Sequence, residues 1–278
     1  MIFDGKAFAK ELEIEVAAKV AKMGKKPKIV SVLVGNDPAS ELYSRLKKSA
    51  AERCGIDFLI ERLDASSQSA DIKQKIAELA GQVDVTGVMV QLPIPGISWK
   101  DTEAILKAIP LGKDIDGLRW RESGVKPATV RAVLSILEEI ARLQDTQGSE
   151  PLWKRKFVVL GSRGAVGEPL VNFLKQKGVD VVEIEWDTPE PAKSILEGDV
   201  IISCVGKAGL VGGEMVRDGL IAIDVGMSQK DGKVVGDMTT EVYRKAAVAV
   251  AVPGGVGPVT IACLMENVYE TYESTNRI

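Results

Sequence analysis

The most restrictive feature of this 278-residue sequence is that it contains no histidine. Ser-His and Cys-His nucleophile pairs are therefore excluded, and so are zinc sites with histidine ligands. Proton transfer at an active site must instead use lysine, a carboxylate, tyrosine, cysteine or water. A lysine that acts as a base would need its pKa lowered toward neutrality, as burial can do.

Cysteine is also scarce, and the chain has no excess of basic residues. Cys54, Cys204 and Cys263 are an odd number of cysteines without CxxC spacing. We therefore expect reduced, mostly buried thiols, with no disulfide framework and no bound metal. The net charge is −3, so a nucleic-acid-binding groove is not expected.

A membrane span is not expected either, because the long uncharged segment is interrupted. Residues 246–265 carry no formal charge, and about twenty apolar residues suffice to cross a bilayer. Three glycines and two prolines, however, lie in the middle of this segment, where they break a continuous helix. The segment predicts a short strand over 247–252, a loop over 253–258 and a helix that starts just after Pro258. Because the start of the chain lacks a signal-peptide pattern, we expect a cytoplasmic protein without a membrane partner.

Helical and strand patterns alternate along the whole chain. The predicted strands are KIVSVLVG, DFLIERL and VTGVMVQ in the first half, and KFVVLG, DVVEIEW, DVIISCVG, LIAIDVGM and AVAVAV in the second. This alternation predicts an α/β protein with parallel sheets, and the length allows two domains. We predict an N-terminal α/β substrate domain over 1–143 and a C-terminal Rossmann-like, doubly wound domain over 151–258. We expect the polar segment QDTQGSEPLWKR to separate these domains and the last helix (259–275) to pack back on the first one. We also expect an active-site cleft between the two domains.

The segment FVVLGSRGAVGEPL predicts a phosphate-binding turn. Gly161, Gly164 and Gly167 follow a buried strand and open a helix, where glycines let the turn close and the free amides at the helix start face a phosphate. The spacing is GxxGxxG instead of the usual GxGxxG, so an ordinary strand-to-helix turn remains an alternative to dinucleotide binding.

The residues near this turn leave the type of dinucleotide open. Arg163 is in the loop and favours the 2′-phosphate of NADP. Glu185 and Asp187, at the end of the next predicted strand, favour the free ribose hydroxyl of NAD.

Polar residues in the first half form a second candidate site. Tyr43 and Lys47 are four residues apart on a predicted helix and so share one face. Gln91 ends an apolar strand, at the edge where α/β proteins bind ligands. Asp114 and Asp116 follow in a loop, where carboxylates usually form turns. Taken alone, Lys47 fits an ordinary solvated lysine on an amphipathic surface helix better than a catalytic one.

Together, seven segments resemble the bifunctional methylenetetrahydrofolate dehydrogenase/methenyltetrahydrofolate cyclohydrolases. In chain order they are VGNDPASELYSRLKKSAAERCGI, VQLPIPG, KDIDGL, LGSRGAVGEP, SCVGKAGLV, IDVGM and VPGGVGPVT, and the resemblance extends over nearly the whole chain. The resemblance implies an oxidoreductase and hydrolase of one-carbon metabolism that uses a tetrahydrofolate substrate and NADP. It also implies a link to purine biosynthesis and a homodimer built through the second domain.

The resemblance also implies roles for individual residues. Lys47 would be the essential cyclohydrolase lysine, Gln91 would set its protonation, and Asp116 would hold the pterin ring. The other implied substrate residues are Tyr43, Val90, Leu92, Pro253, Gly254, Gly255, Val256 and Gly257. The implied cofactor residues are Gly161, Ser162, Arg163, Gly164, Gly167, Asp187, Gly206 and Met227.

Two departures from the family pattern affect the 2′-phosphate pocket. The family's Gly-Arg-Ser is Gly161-Ser162-Arg163 here, and its Cys-His-Ser is Glu185-Trp186-Asp187, so NAD stays open beside NADP. Three other functions also remain open: a monofunctional NAD-dependent methylenetetrahydrofolate dehydrogenase, another Rossmann oxidoreductase with a Lys/Asp substrate site, and a non-catalytic nucleotide-binding protein.

Overall fold

The computed structural model describes residues 1–145 and 151–276 of the chain. Its strands are β1 (Lys28–Val34), β2 (Asp57–Leu63), β3 (Gly87–Val90), β4 (Phe157–Leu160), β5 (Val181–Ile184), β6 (Val200–Ser203), β7 (Ile221–Asp224), β8 (Ser228–Lys230), β9 (Lys233–Val235) and β10 (Val248–Val250). Its α-helices are α1 (Gly5–Val20), α2 (Pro38–Arg53), α3 (Ser69–Ala80), α4 (Trp99–Leu106), α5 (Trp120–Ser123), α6 (Ala128–Asp145), α7 (Gly167–Gln176), α8 (Pro191–Leu196), α9 (Thr240–Lys245) and α10 (Val256–Asn276).

The first half of the chain forms a parallel three-stranded sheet in the order β2-β1-β3. Its strands are apolar because both faces are covered. Ile29 and Met89 pack into one hydrophobic cluster, whereas Val30 and Val88 pack into another on the opposite face. The chain leaves β1 toward β2 and returns to β3 on the other side. Such a reversal of strand order places a ligand crevice at the carboxyl ends of β1 and β3.

The second half forms a parallel five-stranded sheet in the order β10-β7-β6-β4-β5. The short Val- and Ile-rich strands are buried at its centre. Because β5 and β6 lie on opposite sides of β4, the strand order reverses between β4 and β6. The loops that follow these two strands therefore border the position where doubly wound sheets bind ligands. The predicted α/β class with parallel sheets in two domains is confirmed.

Two local features differ from the sequence-based expectation. Helix α10 begins at Val256, so the predicted start after Pro258 is wrong by three residues. Pro258 lies in the first turn of the helix, where backbone N–H groups have no intrahelical partner and proline is tolerated. The antiparallel hairpin β8–β9 was not predicted, although its turn residues Asp231 and Gly232 both have positive φ, which is typical of a tight Asp-Gly hairpin turn.

The chain divides into two compact units, which we name after their sheets. The three-stranded unit contains Lys10–Ala128 and the segment from Ile261 onward, and the five-stranded unit contains Met1–Ala9 and Thr129–Thr260. Residues 129–143, assigned to the first domain in the sequence analysis, therefore group with the five-stranded sheet. The domain boundaries at 143, 151 and 258 stay a prediction, and part of the predicted boundary segment, 146–150, lies outside the described residues.

Helix α10 contributes to the core of the three-stranded unit. Leu264, Met265 and Val268 are buried in the same cluster as Val16 and Ile29. Asn267, 1% exposed, adds polar contacts, because its side-chain amide donates hydrogen bonds to the carbonyls of Ile115 and Lys126 at 3.0 and 2.9 Å.

None of the helices within 1–145 and 151–276 has both the length and the apolar composition that crossing a bilayer requires.

Candidate functional site

Helix α2 follows the central strand of the three-stranded sheet and carries the candidate lysine. The carboxylate of Asp37 caps it by accepting a hydrogen bond from the N–H of Ser40 at 2.8 Å, and Pro38 occupies the first turn. Both features fix where a helix starts. Tyr43 and Lys47, four residues apart, share one face of this helix, and burial raises the pKa of the Tyr43 phenol.

The structure brings Lys47 and Gln91 together. The ammonium Nζ of Lys47 donates a hydrogen bond to Oε1 of Gln91 at 3.0 Å. Gln91 directly follows β3 and is only 7% exposed, and its Nε2 donates to the carbonyl of Leu92 at 2.7 Å. This second bond orients the amide so that its oxygen faces the lysine. Lys47 is thereby held at the carboxyl end of β3.

Two opposing effects act on the pKa of Lys47. Burial lowers this pKa below its ordinary value, because a charged amine is disfavoured away from water, and the charge of Asp116 partly opposes the shift. The neutral amine is therefore reached at lower pH than in an exposed lysine. In a chain without histidine, this is the change that a general base requires.

The two candidate aspartates differ in their surroundings. Asp114 pairs with Val88 beside β3 and is 2% exposed. Its carboxylate organises the loop by accepting hydrogen bonds from the N–H groups of Leu118 and Arg119 and from the hydroxyl of Ser123. Burial raises the pKa of Asp114. Asp116, two residues later, is partly exposed and acts on Lys47 through its charge.

The two residues that flank Gln91 are placed differently. The side chain of Val90 is 1% exposed and belongs to the hydrophobic core of the three-stranded unit, so its backbone is what remains for contact with a ligand. Leu92 is partly buried and packs against the same core, and the peptide bond to Pro93 is cis.

The loop between β4 and α7 depends on its glycines. Gly161 has φ of 75°, a conformation open to glycine. A Cβ on Gly161 would lie 3.0 Å from the carbonyl oxygen of Cys204, and one on Gly167 would overlap the carbonyl oxygen of Gly161. The N–H of Gly164 donates to that same carbonyl at 3.1 Å. This close approach of strand and helix is what a dinucleotide pyrophosphate requires.

Ser162 and Arg163 face the end of β5. The hydroxyl of Ser162, a residue only 2% exposed, donates to Oε1 of Glu185 at 3.2 Å. The guanidinium Nη1 of Arg163 donates to both carboxylate oxygens of Asp187, at 3.0 and 3.1 Å. This hydrogen bonding raises the pKa of Arg163 and lowers that of Asp187.

Gly206 and Met227 are neighbours at the carboxyl edge of the five-stranded sheet. Gly206 has φ of 78°, and a Cβ on it would lie 3.9 Å from the carbonyl oxygen of Met227. Residues Val205, Gly206 and Lys207 form a loop after β6, here called the Gly206 loop. Buried Asp237 anchors this loop, because its carboxylate accepts hydrogen bonds from the three backbone N–H groups at 2.8, 3.2 and 2.7 Å. The same carboxylate accepts a hydrogen bond from the hydroxyl of Ser203 at 2.7 Å.

The sequence analysis missed Asp237 and a second buried carboxylate, Asp224. Asp224 ends β7 and accepts hydrogen bonds from the N–H groups of Asp237 and Met238 at 3.0 and 2.8 Å and from the Tyr243 hydroxyl at 2.7 Å. Its pKa is raised by burial to about 6. The signal in the sequence was two glycines, Gly226 and Gly236, because each lies where a Cβ would overlap one of these carboxylates.

Tyr243 links this buried pair to the Pro253–Gly257 segment. Its hydroxyl also accepts a hydrogen bond from the N–H of Val252 at 3.4 Å, one residue before Pro253. Gly254 has φ of 103°, and a Cβ on Gly255 would lie 2.6 Å from the carbonyl oxygen of Ala251. The turn therefore needs glycine at both positions. Val256 is buried, whereas Pro253 and Gly257 are exposed.

Within the part of the chain that the structure describes, no group of three or more Cys, Asp or Glu side chains is arranged to hold a metal ion.

Two family models match the chain one after the other. The catalytic domain of tetrahydrofolate dehydrogenase/cyclohydrolase matches residues 3–116, and the NAD(P)-binding domain of the same family matches residues 127–276.

Individual relatives match over the full length. A bifunctional protein FolD of Methanoculleus marisnigri is 35% identical over 280 residues, covering 97% of this chain and 95% of the relative. The crystal structure of the bifunctional FolD methylenetetrahydrofolate dehydrogenase/cyclohydrolase of Campylobacter jejuni is 31% identical with a TM-score of 0.88, covering 99% of each chain. The Trypanosoma brucei FolD structure, a complex with NADP and an inhibitor, is 30% identical with a TM-score of 0.86, covering 100% of this chain and 99% of the other.

Proposed function

The chain belongs to the tetrahydrofolate dehydrogenase/cyclohydrolase family, and we propose that it catalyses both reactions of that name. It oxidises 5,10-methylenetetrahydrofolate to 5,10-methenyltetrahydrofolate with NADP, and it hydrolyses the methenyl compound to 10-formyltetrahydrofolate. The observation that carries this proposal is the hydrogen bond between Lys47 and Gln91, which positions a lysine with a lowered pKa in a protein that has no histidine.

The dehydrogenase step needs positioning more than proton transfer. When bound, the oxidised nicotinamide accepts a hydride from the methylene carbon of the substrate. The positive charge left on the substrate is shared by the two nitrogens that flank this carbon, so no protein base takes a proton. The chain contributes geometry. The glycine turn at Gly161–Gly167 receives the pyrophosphate, and the Gly206 loop, anchored by Asp237, borders the cofactor further along.

The cyclohydrolase step needs a base. Water adds to the methenyl carbon, and the neutral amine of Lys47 takes the proton that the water loses. The bond from this carbon to N5 then breaks as the new hydroxyl becomes the formyl carbonyl. The hydroxyl proton is transferred to N5, the carbon remains on N10 as a formyl group, and Lys47 releases its own proton to solvent. Gln91 holds Nζ of Lys47 in place for this transfer, and burial lowers the pKa of the amine, which favours the neutral form that acts as a base.

The remaining residues bind the folate in this proposal. Asp116 accepts hydrogen bonds from the pterin ring, and the Tyr43 ring packs on the aromatic part of the substrate. The remaining folate contacts come from Val90, Leu92, Pro253, Gly254, Gly255, Val256 and Gly257. Where the side chain is buried or absent, the backbone makes the contact.

Two absorbance assays on the purified protein test the proposal. The first follows nicotinamide reduction with 5,10-methylenetetrahydrofolate and either NADP or NAD. The second follows the loss of 5,10-methenyltetrahydrofolate without any nucleotide. Activity in both assays supports the bifunctional enzyme. Activity in the first alone would make the chain a monofunctional dehydrogenase, and activity in neither would overturn the proposal.

We further propose a homodimer built through the five-stranded unit, a cytoplasmic location, and a role in supplying one-carbon groups for purine biosynthesis. The homodimer and the purine role rest on the resemblance of the sequence to the family, and the cytoplasmic location is the expectation stated in the sequence analysis. Light scattering coupled to size-exclusion chromatography tests the first, and a mass near that of a single 29.8 kDa chain would contradict it. Fractionation of the source cells tests the second. Purine rescue of a strain lacking this protein tests the third.

A further inference from the structure

Three hydrogen-bond donors at the start of the glycine turn are already paired with carboxylates of the chain itself. The hydroxyl of Ser162 and the backbone N–H of Arg163 both donate to Oε1 of Glu185, at 3.2 and 2.5 Å. The guanidinium of Arg163 donates to both oxygens of Asp187. A hydroxyl, a backbone amide and an arginine are the groups that a bound phosphate monoester would use.

The position of these carboxylates in the sheet makes them relevant to the cofactor. Glu185 directly follows β5, and β5 pairs in parallel with β4, the strand that leads into the glycine turn. In dinucleotide-binding sheets, an acidic residue at this place hydrogen-bonds the ribose 2′-hydroxyl of NAD, whereas a nearby arginine accommodates the 2′-phosphate of NADP. This chain carries both features at one site.

The two carboxylates are held with different strength. Glu185 is fixed, because its own N–H donates to the hydroxyl of Thr188 at 2.8 Å and its carboxylate meets a nearly buried serine hydroxyl. The ion pair between Arg163 and Asp187 is open to solvent, with 66% and 41% of the two side chains exposed, and such pairs contribute little to stability. Arg163 is therefore able to leave Asp187 for a phosphate, while the Glu185 charge stays where it is.

This arrangement penalises a 2′-phosphate and favours a hydroxyl. A phosphate placed here faces the fixed charge of Glu185 and must compete with Asp187 for Arg163, and like charges at close range disfavour binding. A ribose hydroxyl donates to Glu185 without disturbing the ion pair. The residues thus fit the adenosine end of NAD as well as that of NADP, to within about tenfold in Kd.

We propose that Glu185 and Asp187 are specificity-determining residues that make NAD a cofactor of this chain alongside NADP. The inference rests on the proposed dehydrogenase function and deepens it at the cofactor site. Glu185 accepts a hydrogen bond from the 2′-hydroxyl of NAD. Asp187 pairs with the guanidinium of Arg163 and so competes with the 2′-phosphate of NADP for this group.

Isothermal titration calorimetry with NAD and NADP, each added alone to the full chain, tests this inference without a folate substrate or turnover. The variants are Glu185→Gln and Asp187→Asn. Asp180→Asn is the matched control, because it also removes one exposed carboxylate but lies just before β5, at the opposite end of that strand.

We expect the wild-type Kd for NAD to be no more than about tenfold above that for NADP, or below it. Asp187→Asn frees Arg163 and should tighten NADP about tenfold with little change for NAD, and Glu185→Gln should weaken NAD about tenfold, as expected for one hydrogen bond to a charged group. Asp180→Asn should change neither.

Wild-type binding of NAD more than about tenfold weaker than NADP, or Asp187→Asn and Glu185→Gln variants that bind both cofactors as the control does, would overturn the inference while leaving the dehydrogenase function intact. Absence of binding for both nucleotides would overturn the inference and the dehydrogenase function together.

Discussion

Nζ of Lys47 on helix α2 donates a 3.0 Å hydrogen bond to Oε1 of Gln91 at the end of strand β3, across a sequence separation of 44. The side chain of Lys47 thus reaches the carboxyl end of β3, where Gln91 is fixed by its own bond to Leu92. A flexible amine is thereby restricted to one region, which lowers the entropy that a reaction using it must lose.

Replacement of Lys47 by methionine should abolish the cyclohydrolase and spare the dehydrogenase. The loss should be about a hundredfold to ten-thousandfold in kcat, the range for removing a general acid-base group, whereas hydride transfer needs no base. The rates of methenyltetrahydrofolate loss and of nicotinamide reduction are measured on the same preparation. Lys48→Met is the matched control, because Lys48 is the exposed neighbour on the same helix. Hydrolysis at the wild-type rate by the Lys47 variant would rule out the assigned role.

The cyclohydrolase rate should depend on the charge of Asp116. In the wild type, kcat should rise with pH as the Lys47 ammonium loses its proton, with a midpoint below the ordinary lysine pKa, because burial lowers the pKa of this group. The negative charge of Asp116 raises the pKa of Lys47, so Asp116→Asn should move the midpoint to lower pH. The pH dependence of kcat at saturating substrate measures this shift. An unmoved midpoint, or one at higher pH, would contradict the coupling.

Replacement of Gly167 by alanine should disturb the dinucleotide turn. The added Cβ would overlap the carbonyl oxygen of Gly161, so strand β4 and helix α7 must move apart, and such overpacking costs about 2 kcal/mol of unfolding free energy. Cofactor affinity, measured by calorimetry, should fall as well. Gly112→Ala is the control, because a Cβ there meets nothing within 4 Å and should change stability by less than about 0.5 kcal/mol. Equal stability of the two variants would refute the packing argument.

Asp224 should make the stability of the five-stranded unit depend on pH between about 4 and 6. Burial raises its folded-state pKa to about 6, so the folded protein holds this proton more tightly than the unfolded chain does. The tighter binding of this proton adds to the free energy of unfolding, fully so below the pKa of Asp224 in the unfolded chain. This added stability, about 3 kcal/mol in total, is lost as the pH rises through about 6.

Urea unfolding of the wild type and of Asp224→Asn at pH 4 and pH 7 measures this contribution. The wild type should lose more stability than the variant on going from pH 4 to pH 7, because asparagine does not titrate. Asp180→Asn, which removes an exposed aspartate, should follow the wild type. Parallel pH dependence in the wild type and the Asp224 variant would show that the carboxyl does not titrate in this range.

The alternation of apolar strands with amphipathic helices determined much of this protein at the level of sequence. The strand segments around Val30, Val88 and Val158 fold as predicted, because strands of a parallel sheet covered on two sides are apolar on both faces. The glycine turn at Gly161 was readable for a similarly local reason, since close backbone approach and positive φ require glycine. The absence of histidine narrowed the chemistry before any fold was known.

What only the tertiary structure decided is which distant groups meet. Lys47 and Gln91, Arg163 and Asp187, and Asp237 with the Gly206 loop are each separated by more than twenty residues, and no local pattern encodes such pairings. The start of α10 at Val256 and the two buried aspartates were missed for related reasons. A proline fits the first turn of a helix as well as the end of a loop, so it does not fix where the helix starts. An aspartate in a loop is most simply interpreted as a solvated turn residue, because the hydrogen-bond donors that bury it come from other loops and are not visible in the sequence. Hydrophobic periodicity thus determines the layers of this protein, whereas the sites arise where loops from separate strands converge at the carboxyl edge of a sheet.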